Sequence, residues 1–286
     1  MIEYLDFQID LNDPDTVAAY DELPLWSALA GQLLLASLPL KKGAKVLDLG
    51  CGTGFPLIEL AERLGSTASV YGIDPWLAAL LRARSKARVR RVRNVATAAA
   101  DAVSLPFPSS YFDLIVSNLG INNFDQPEAA LRECRRVAKP SSTLALATNL
   151  RGHMKEFYDV FEKVLFEVDD AAALEALRAH VDHRVTTGAI AALFDRTGFR
   201  VVRVRDATAP LRFADGSALL RHYFIKLGFL DGWKGIVAEA QRRGEIFTRL
   251  EEEINRYAAL RGDLELTIPL VYVEAKPIVA EPAIDR

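Results

Sequence analysis

Short apolar runs alternate along the chain with stretches whose apolar residues recur every three or four positions. Val46, Leu47 and Leu49 form a run too short for a helix and backed by turn residues, which predicts a buried strand. Residues 56–64 carry apolar positions at helical spacing, and Gly65 stands where a C-cap glycine belongs. A second strand is predicted over 70–74, ending in Asp74, with Pro75 in the first turn of the next helix. A third strand begins near Val95. Leu114, Ile115 and Val116 form a continuous apolar run, as expected of a central parallel strand buried on both faces. Residues 126–137 read as an amphipathic helix with Cys134 on its inner side, and 142–148 as a fifth strand.

The flanks follow the same rules. Residues 1–15 are acidic and turn-rich, which predicts an arm before a helix capped near Asp15 or Thr16. Helices are predicted at 16–20 and 25–38, with Pro24 at the start of the second. Beyond residue 150, a helix over 154–165 places Phe157, Val160, Phe161 and Val164 on one face. Further helices are predicted at 171–183 and at 187–197, the latter ended by Gly198 before a strand at 199–204. Residues 214–262 hold two or three more helices. The last strand is predicted at 266–273, with pairing expected to begin after Pro269, which has no N–H to donate.

Composition narrows the class. The chain has 286 residues, half of them hydrophobic and 26% charged, enough for one large α/β domain with insertions. The net charge of −3 calls for neither nucleic acid nor membrane, and no apolar stretch is long enough for a span. The N-terminus lacks the basic start and apolar run of a signal peptide. Cys51 and Cys134 are the only cysteines and form no CxxC pair, so a reduced, cytoplasmic location is the default expectation. Residues 82–93 hold seven cations in twelve positions without interleaved aromatics. They read as a solvated face beside an edge strand, with binding of an anionic substrate as the alternative.

The chemistry centres on the turn after the first strand. Gly50, Gly52 and Gly54 are expected to bring bare backbone N–H groups close to a ligand. Asp74 is placed to accept both hydroxyls of a ribose. The spacing departs from the Gly-x-Gly-x-x-Gly dinucleotide pattern, because Phe55 follows Gly54 and an acid, Asp48, sits inside the strand. The run from Val46 to Gly54 reads V-L-D-L-G-C-G-T-G. Here the chain resembles the class I S-adenosylmethionine-dependent methyltransferases, in particular the small-molecule group that includes the ubiquinone and menaquinone biosynthesis enzymes, whose first motif it matches residue for residue.

That resemblance covers residues 40–150 firmly and implies several roles. Asp48, Gly50, Cys51, Gly52 and Gly54 would cradle the methionine end of the cofactor, and Asp74 its ribose. The A-D-A-x-x-L-P-F segment implies that Asp101 accepts from the adenine amino group and that the Ala102 backbone reads the ring edge. Pro75 and Trp76 follow the ribose acid, and Trp76 either flanks adenine or packs. Ser117, Asn118 and Leu119 end the fourth strand beside the reactive methyl. They stand where amino-methylating branches carry Asn/Asp-Pro-Pro-Tyr/Phe, which argues against methylation of an adenine or glutamine nitrogen.

The acceptor side is less sharply drawn. Tyr20 and Trp26 either pack a helical layer or, as in the resembling family, touch ligand from an N-terminal segment. Asn122 and Asn123 are polar groups at the same strand edge, or turn residues. His153, His183 and His222 lie in or near the presumed cap as candidate bases, His222 being retained as a substrate residue, though each alone reads first as structural. His180 and His183 stand three apart without further ligands, so no metal is expected.

The fold class expected is α/β, a Rossmann-like, doubly wound and mostly parallel seven-stranded sheet with its last strand antiparallel and helical cap insertions. Residues 1–40 form an N-terminal helical segment over the cofactor site, and 41–150 the S-adenosylmethionine-binding core. Residues 151–187 are a helical lid, 188–213 core, 214–262 a second cap, and 263–286 the last strand and tail. The function expected is methyl transfer by in-line displacement to a small, partly apolar metabolite, with no dedicated base required. A cofactor-binding protein without transfer activity and a nicotinamide-dependent dehydrogenase are the alternatives. The oligomeric state is not legible, and a homodimer is kept open.

Overall fold

The computed structural model describes residues 3–23 and 25–279. Pro24 and the tail from residue 280 lie outside the described residues. Seven strands form one sheet: β1 (Lys45–Leu49), β2 (Ser69–Asp74), β3 (Val95–Ala99), β4 (Phe112–Asn118), β5 (Ala138–Asn149), β6 (Phe199–Phe213) and β7 (Leu264–Pro277). Their order is β3-β2-β1-β4-β5-β7-β6. β1 pairs parallel with β2 on one side, Asp48 opposite Gly72, and with β4 on the other, Asp48 opposite Val116. β2 pairs parallel with β3 and β4 with β5, whereas β7 runs antiparallel. The chain therefore reverses its winding between β1 and β4. Ligands of open parallel sheets bind at such a switch point, outside the carboxyl ends of the strands.

The described residues divide into two compact units. One comprises Asn12–Thr148, Thr186–Ala207 and the chain from Leu270 onward. In it, α1 (Pro14–Asp21) starts on Asp13, whose carboxylate accepts the Thr16 N–H at 2.8 Å. The cap is thus Asp13 rather than the expected Asp15 or Thr16, because Pro14 suits the first helical position, where no N–H is needed. Next come α2 (Leu25–Leu35), α3 (Leu57–Leu64), α4 (Leu77–Val89) and α5 (Pro127–Val137). α3 buries Leu57, Ile58, Leu60, Ala61 and Leu64, and Gly65 closes it at φ +74°. Pro75 lies ahead of α4 instead of in its first turn: Asp74 accepts the Trp76 N–H at 2.9 Å, so the chain turns before the helix begins. Val46, Leu47, Leu49, Ile115 and Val116 are buried at the middle of the sheet.

The other unit comprises the chain up to Leu11, Asn149–Val185 and Thr208–Pro269. It contains α6 (Lys155–Glu167) and α7 (Ala171–Asp182); α8 (Thr187–Arg196) belongs to the first unit. Where two or three helices were expected, four follow: α9 (Gly216–Arg221), α10 (Tyr223–Gly228), α11 (Leu230–Ile236) and α12 (Ala240–Ala259). The core of this unit is aromatic, with Phe157 stacked on Trp233 at 4.1 Å and Phe161 edge-on to Phe247. Tyr158 is buried where Val160 was expected; Val160 is only half-buried.

β6 and β7 are longer than predicted. β6 is an edge strand, and an edge tolerates its charges and Pro210 without apolar alternation, so the pattern signal stops after Val204. β7 runs through Pro269, correcting the expected start of pairing. The Pro269 carbonyl accepts the Leu150 N–H at 2.9 Å, and the Thr267 carbonyl accepts the Met154 N–H. On that side Pro269 is needed only as an acceptor, so its missing N–H costs little. Among the described residues, no helix is long and apolar enough to cross a membrane.

Candidate cofactor site

The site starts where β1 and β2 end. The N–H groups of Gly50 and Cys51 both donate to the Ile73 carbonyl, at 2.9 and 3.0 Å, and that of Gly54 to the Cys51 carbonyl at 2.8 Å. The Gly52 N–H donates to Asp74 Oδ2 at 2.8 Å. The glycine N–H groups of the turn are therefore taken, contrary to the expectation that they reach a ligand bare. The turn folds back on the end of β2, whose Ile73 and Asp74 take up the donors of Gly50, Cys51 and Gly52. The glycines serve conformation instead. Gly52 has φ +49° with no atom within 4 Å of a would-be Cβ, which leaves its face open for a ligand. Gly54, at φ +98°, lets Ala83 and Ile58 close to 3.1 Å of the same position.

Beneath the turn lies Asp48, fully buried, with neither carboxylate oxygen in a hydrogen bond of normal geometry. Burial and then the Asp74 carboxylate push its pKa up to about 8, offset in part by the Leu57 N–H. A buried carboxylate without partners is costly. It is met either by a proton or by a cation brought to the site. Cys51 is buried beside it; burial, Asp48 and Asp74 all raise its thiol pKa, so it packs and does not react. Its sulfur would lie 2.7 Å from a Cβ at Gly72, so the strand glycine makes room for the turn.

A cavity of about 150 Å³ opens beside the turn, lined by Gly50, Pro75, Asp101, Ala102, Asn123 and Phe124 among others. Sites that enclose a whole ligand run to roughly 300–1,000 Å³, so this one has room for a ring system. Asp101 is exposed and its Oδ1 accepts the Val103 N–H at 3.1 Å. The lining by Phe124, Asp125 and Gln126 was missed from the sequence. Their position just past the fourth strand, at the carboxyl edge, was the available signal.

The remaining predicted residues divide. Ser117 donates to the Leu49 carbonyl at 2.8 Å and so ties β4 to the end of β1. Asn118 donates to the Ser27 carbonyl at 3.0 Å, joining β4 to α2. Leu119 is left-handed at φ 64°, and its N–H donates to the Ala147 carbonyl. Asn122 is buried and donates to Thr148 Oγ1 at 2.8 Å, a structural bond within the strand edge. Tyr20 packs edge-on against Trp76 at 5.2 Å, and Asp21 pairs with Arg82 and Lys86, so α1 is fastened to α4 just after Asp74. Trp76 and Trp26 are outside the cavity lining. His222 belongs to the other unit, edge-on to Phe213. No group of three or more His, Cys, Asp and Glu gathers to hold a metal among the described residues.

Sheet order, switch point and turn geometry define a Rossmann-like nucleotide-binding fold. Residues 40–198 match the methyltransferase-domain family, and the chain belongs to it. A 2-phytyl-1,4-naphtoquinone methyltransferase of Trichormus variabilis is 32% identical over 144 residues, covering 48% of this chain and 63% of the relative. A ubiquinone/menaquinone biosynthesis C-methyltransferase of Cupriavidus metallidurans is 29% identical over 187 residues, 61% of this chain and 75% of the relative. Among solved structures, an S-adenosylmethionine-dependent methyltransferase of Aquifex aeolicus is similar with a TM-score of 0.52 and 24% identity, over 67% of this chain and 91% of that one. The chain spans about three-fifths of the length of the naphthoquinone and demethylmenaquinone methyltransferases it matches.

Proposed function

We propose that the chain binds S-adenosylmethionine at the β1–β2 turn and transfers its methyl group to a small, partly apolar acceptor. The observation that carries this reading is the buried, unpartnered Asp48 beside Asp74. A dinucleotide brings an anionic pyrophosphate, which needs free N–H donors. Here those of Gly50, Cys51, Gly52 and Gly54 are all taken, and the nearby charges are carboxylates. S-adenosylmethionine instead carries a sulfonium and an ammonium, which such a site favours.

Within this proposal Asp74 receives the ribose hydroxyls on the lone pairs that Gly52 and Trp76 leave unused, and Asp101 and Ala102 read the adenine edge. When bound, the cofactor supplies an electrophilic methyl group, so the protein's part is alignment and exclusion of water. The proposal assigns acceptor choice to residues 214–262, which lie beyond the family match. The relatives' names point first to quinone rings. The action is read as cytoplasmic, in keeping with two free, buried cysteines. The 82–93 stretch is read as a solvated face and not a nucleic-acid surface, since Asp21 answers Arg82 and Lys86, and Glu62 answers Arg90.

Calorimetric titration with S-adenosylmethionine, its demethylated product and NAD⁺ tests the reading. The first two are expected to bind and NAD⁺ to give no response. Binding of NAD⁺ alone overturns it.

A further inference from the structure

α4 leaves large apolar side chains in solvent. Leu77, Leu81 and Val89 are 55%, 56% and 75% exposed, while Ala79, Leu80, Ala83 and Ala87 form the buried side of the helix. Leu77, Leu81, Arg84 and Arg88 follow one another at spacings of four, three and four, which sets leucines and arginines on one helical face. Val89 adjoins Arg88 at its end.

The charge of this face is one-sided. Between Asp74 and Asp101 the chain has seven cations and no acid. Asp21 of α1 answers Arg82 and Lys86, and Glu62 of α3 answers Arg90, while Glu59 is held by Arg63. Arg84 is pinned to the edge strand β3, donating from Nε to Thr97 Oγ1 at 2.7 Å and from Nη2 to the Thr97 carbonyl at 2.8 Å. Arg88, Arg91 and Arg93 are exposed and in no ion pair among the described residues. Arg91 closes the helix in the left-handed region at φ 59°, a place that glycine usually takes, with its N–H on the Arg88 carbonyl. With Arg93, Ser66 and Asn94 it lines a groove of about 550 Å³. The net charge of −3 averages over the whole chain and conceals this face.

Exposed leucines between arginines suit the boundary of an anionic bilayer, where apolar side chains enter the acyl edge and guanidinium groups stay with the phosphates. A nucleic-acid surface would add aromatic side chains for stacking, and residues 77–99 contain none. We propose that the outer face of α4 and the turn after it dock on an anionic lipid surface, Leu77 and Leu81 entering it and Arg84, Arg88, Arg91 and Arg93 meeting its phosphates. The face lies wholly within the first unit, and the proposal does not depend on the methyl-transfer reading.

Co-sedimentation of the full chain with vesicles tests this. Vesicles of phosphatidylcholine and phosphatidylglycerol in equal parts are expected to carry the protein down, and phosphatidylcholine alone to bind it at least about tenfold more weakly. Leu77→Ser with Leu81→Ser and, separately, Arg88→Gln with Arg91→Gln are each expected to lower the partition coefficient at least about tenfold. Arg132→Gln, which removes a cation that Glu128 already answers, changes it less than about twofold. Circular dichroism confirms that each variant is folded, and if one pair is not, the other pair and the phosphatidylcholine arm decide. Equal binding to both vesicle types, binding to neither, or unchanged binding in either folded pair overturns the proposal. Loss in the arginine pair with none in the leucine pair marks a general polyanion surface, such as one for nucleic acid, and overturns it as well.

Discussion

Asp74 accepts the N–H of Gly52 at 2.8 Å, so the acid at the end of β2 and the second glycine of the turn after β1 form one unit. With its other oxygen on the Trp76 N–H, the carboxylate is fixed before any ligand arrives. Preorganisation of this kind limits what binding must order.

Asp74→Ala removes the proposed ribose acceptor together with this brace. Cofactor affinity is expected to fall by about 2 kcal/mol or more, as two hydrogen bonds to a charged acceptor are lost. The melting temperature should also drop modestly, since two N–H groups lose their partner. Unchanged affinity in calorimetry refutes the ribose assignment.

Asp48 makes stability fall with pH. Its pKa rises from near 4 in the unfolded chain to about 8 in the folded one, so the folded state holds the proton more tightly between those values. The resulting stabilisation is complete below about pH 4 and is lost as pH rises through about 8. Denaturant melts from pH 5 to pH 9 should show this decline, and Asp48→Asn should flatten it. A slope as steep in the variant removes Asp48 as its cause.

Binding of a cationic cofactor should lower the Asp48 pKa and release a proton. Titrations near pH 7 in two buffers of different ionisation enthalpy should then differ in apparent heat. Equal heats count against a cation beside Asp48.

The turn glycines separate by role. Gly54→Ala is expected to cost about 1–3 kcal/mol of stability, because its φ of +98° and the 3.1 Å approach of Ala83 and Ile58 both oppose a Cβ. Gly52→Ala should cost about 1 kcal/mol for its positive φ, with its larger effect on cofactor affinity, since its face is open. Thermal melts and calorimetry on both variants distinguish the two.

Both cysteines should resist alkylation in the native protein. Cys134 is pushed up to about 12 by burial, and Cys51 is raised too, by burial and by Asp48. Mass spectrometry is expected to find iodoacetamide adducts only after unfolding. Rapid labelling of the folded chain would show that the turn opens.

Local spacing made much of the fold legible. The apolar run at Val46–Leu49, the stripe of α3, Gly65 as a cap and the doubly buried β4 all follow from periods and caps acting over a few residues. Legibility failed where the partner was distant. Pro269 looked like a break until Leu150 proved to need only its carbonyl, and β6 ran on past Val204 because an edge strand need not alternate.

For the candidate site, the sequence by itself determined which residues gather: Asp48, the three glycines, Asp74 and Asp101 sit at strand ends, and parallel strands bring their carboxyl ends together. Only the tertiary structure decided what their polar groups do. It turned the N–H groups of Gly50 and Gly52 inward onto Ile73 and Asp74 and that of Gly54 onto Cys51, and left Asp48 buried without a hydrogen bond of normal geometry. Hydrogen-bond partners and burial depend on contacts between residues far apart in the chain, whereas strand and helix periods are written in neighbours.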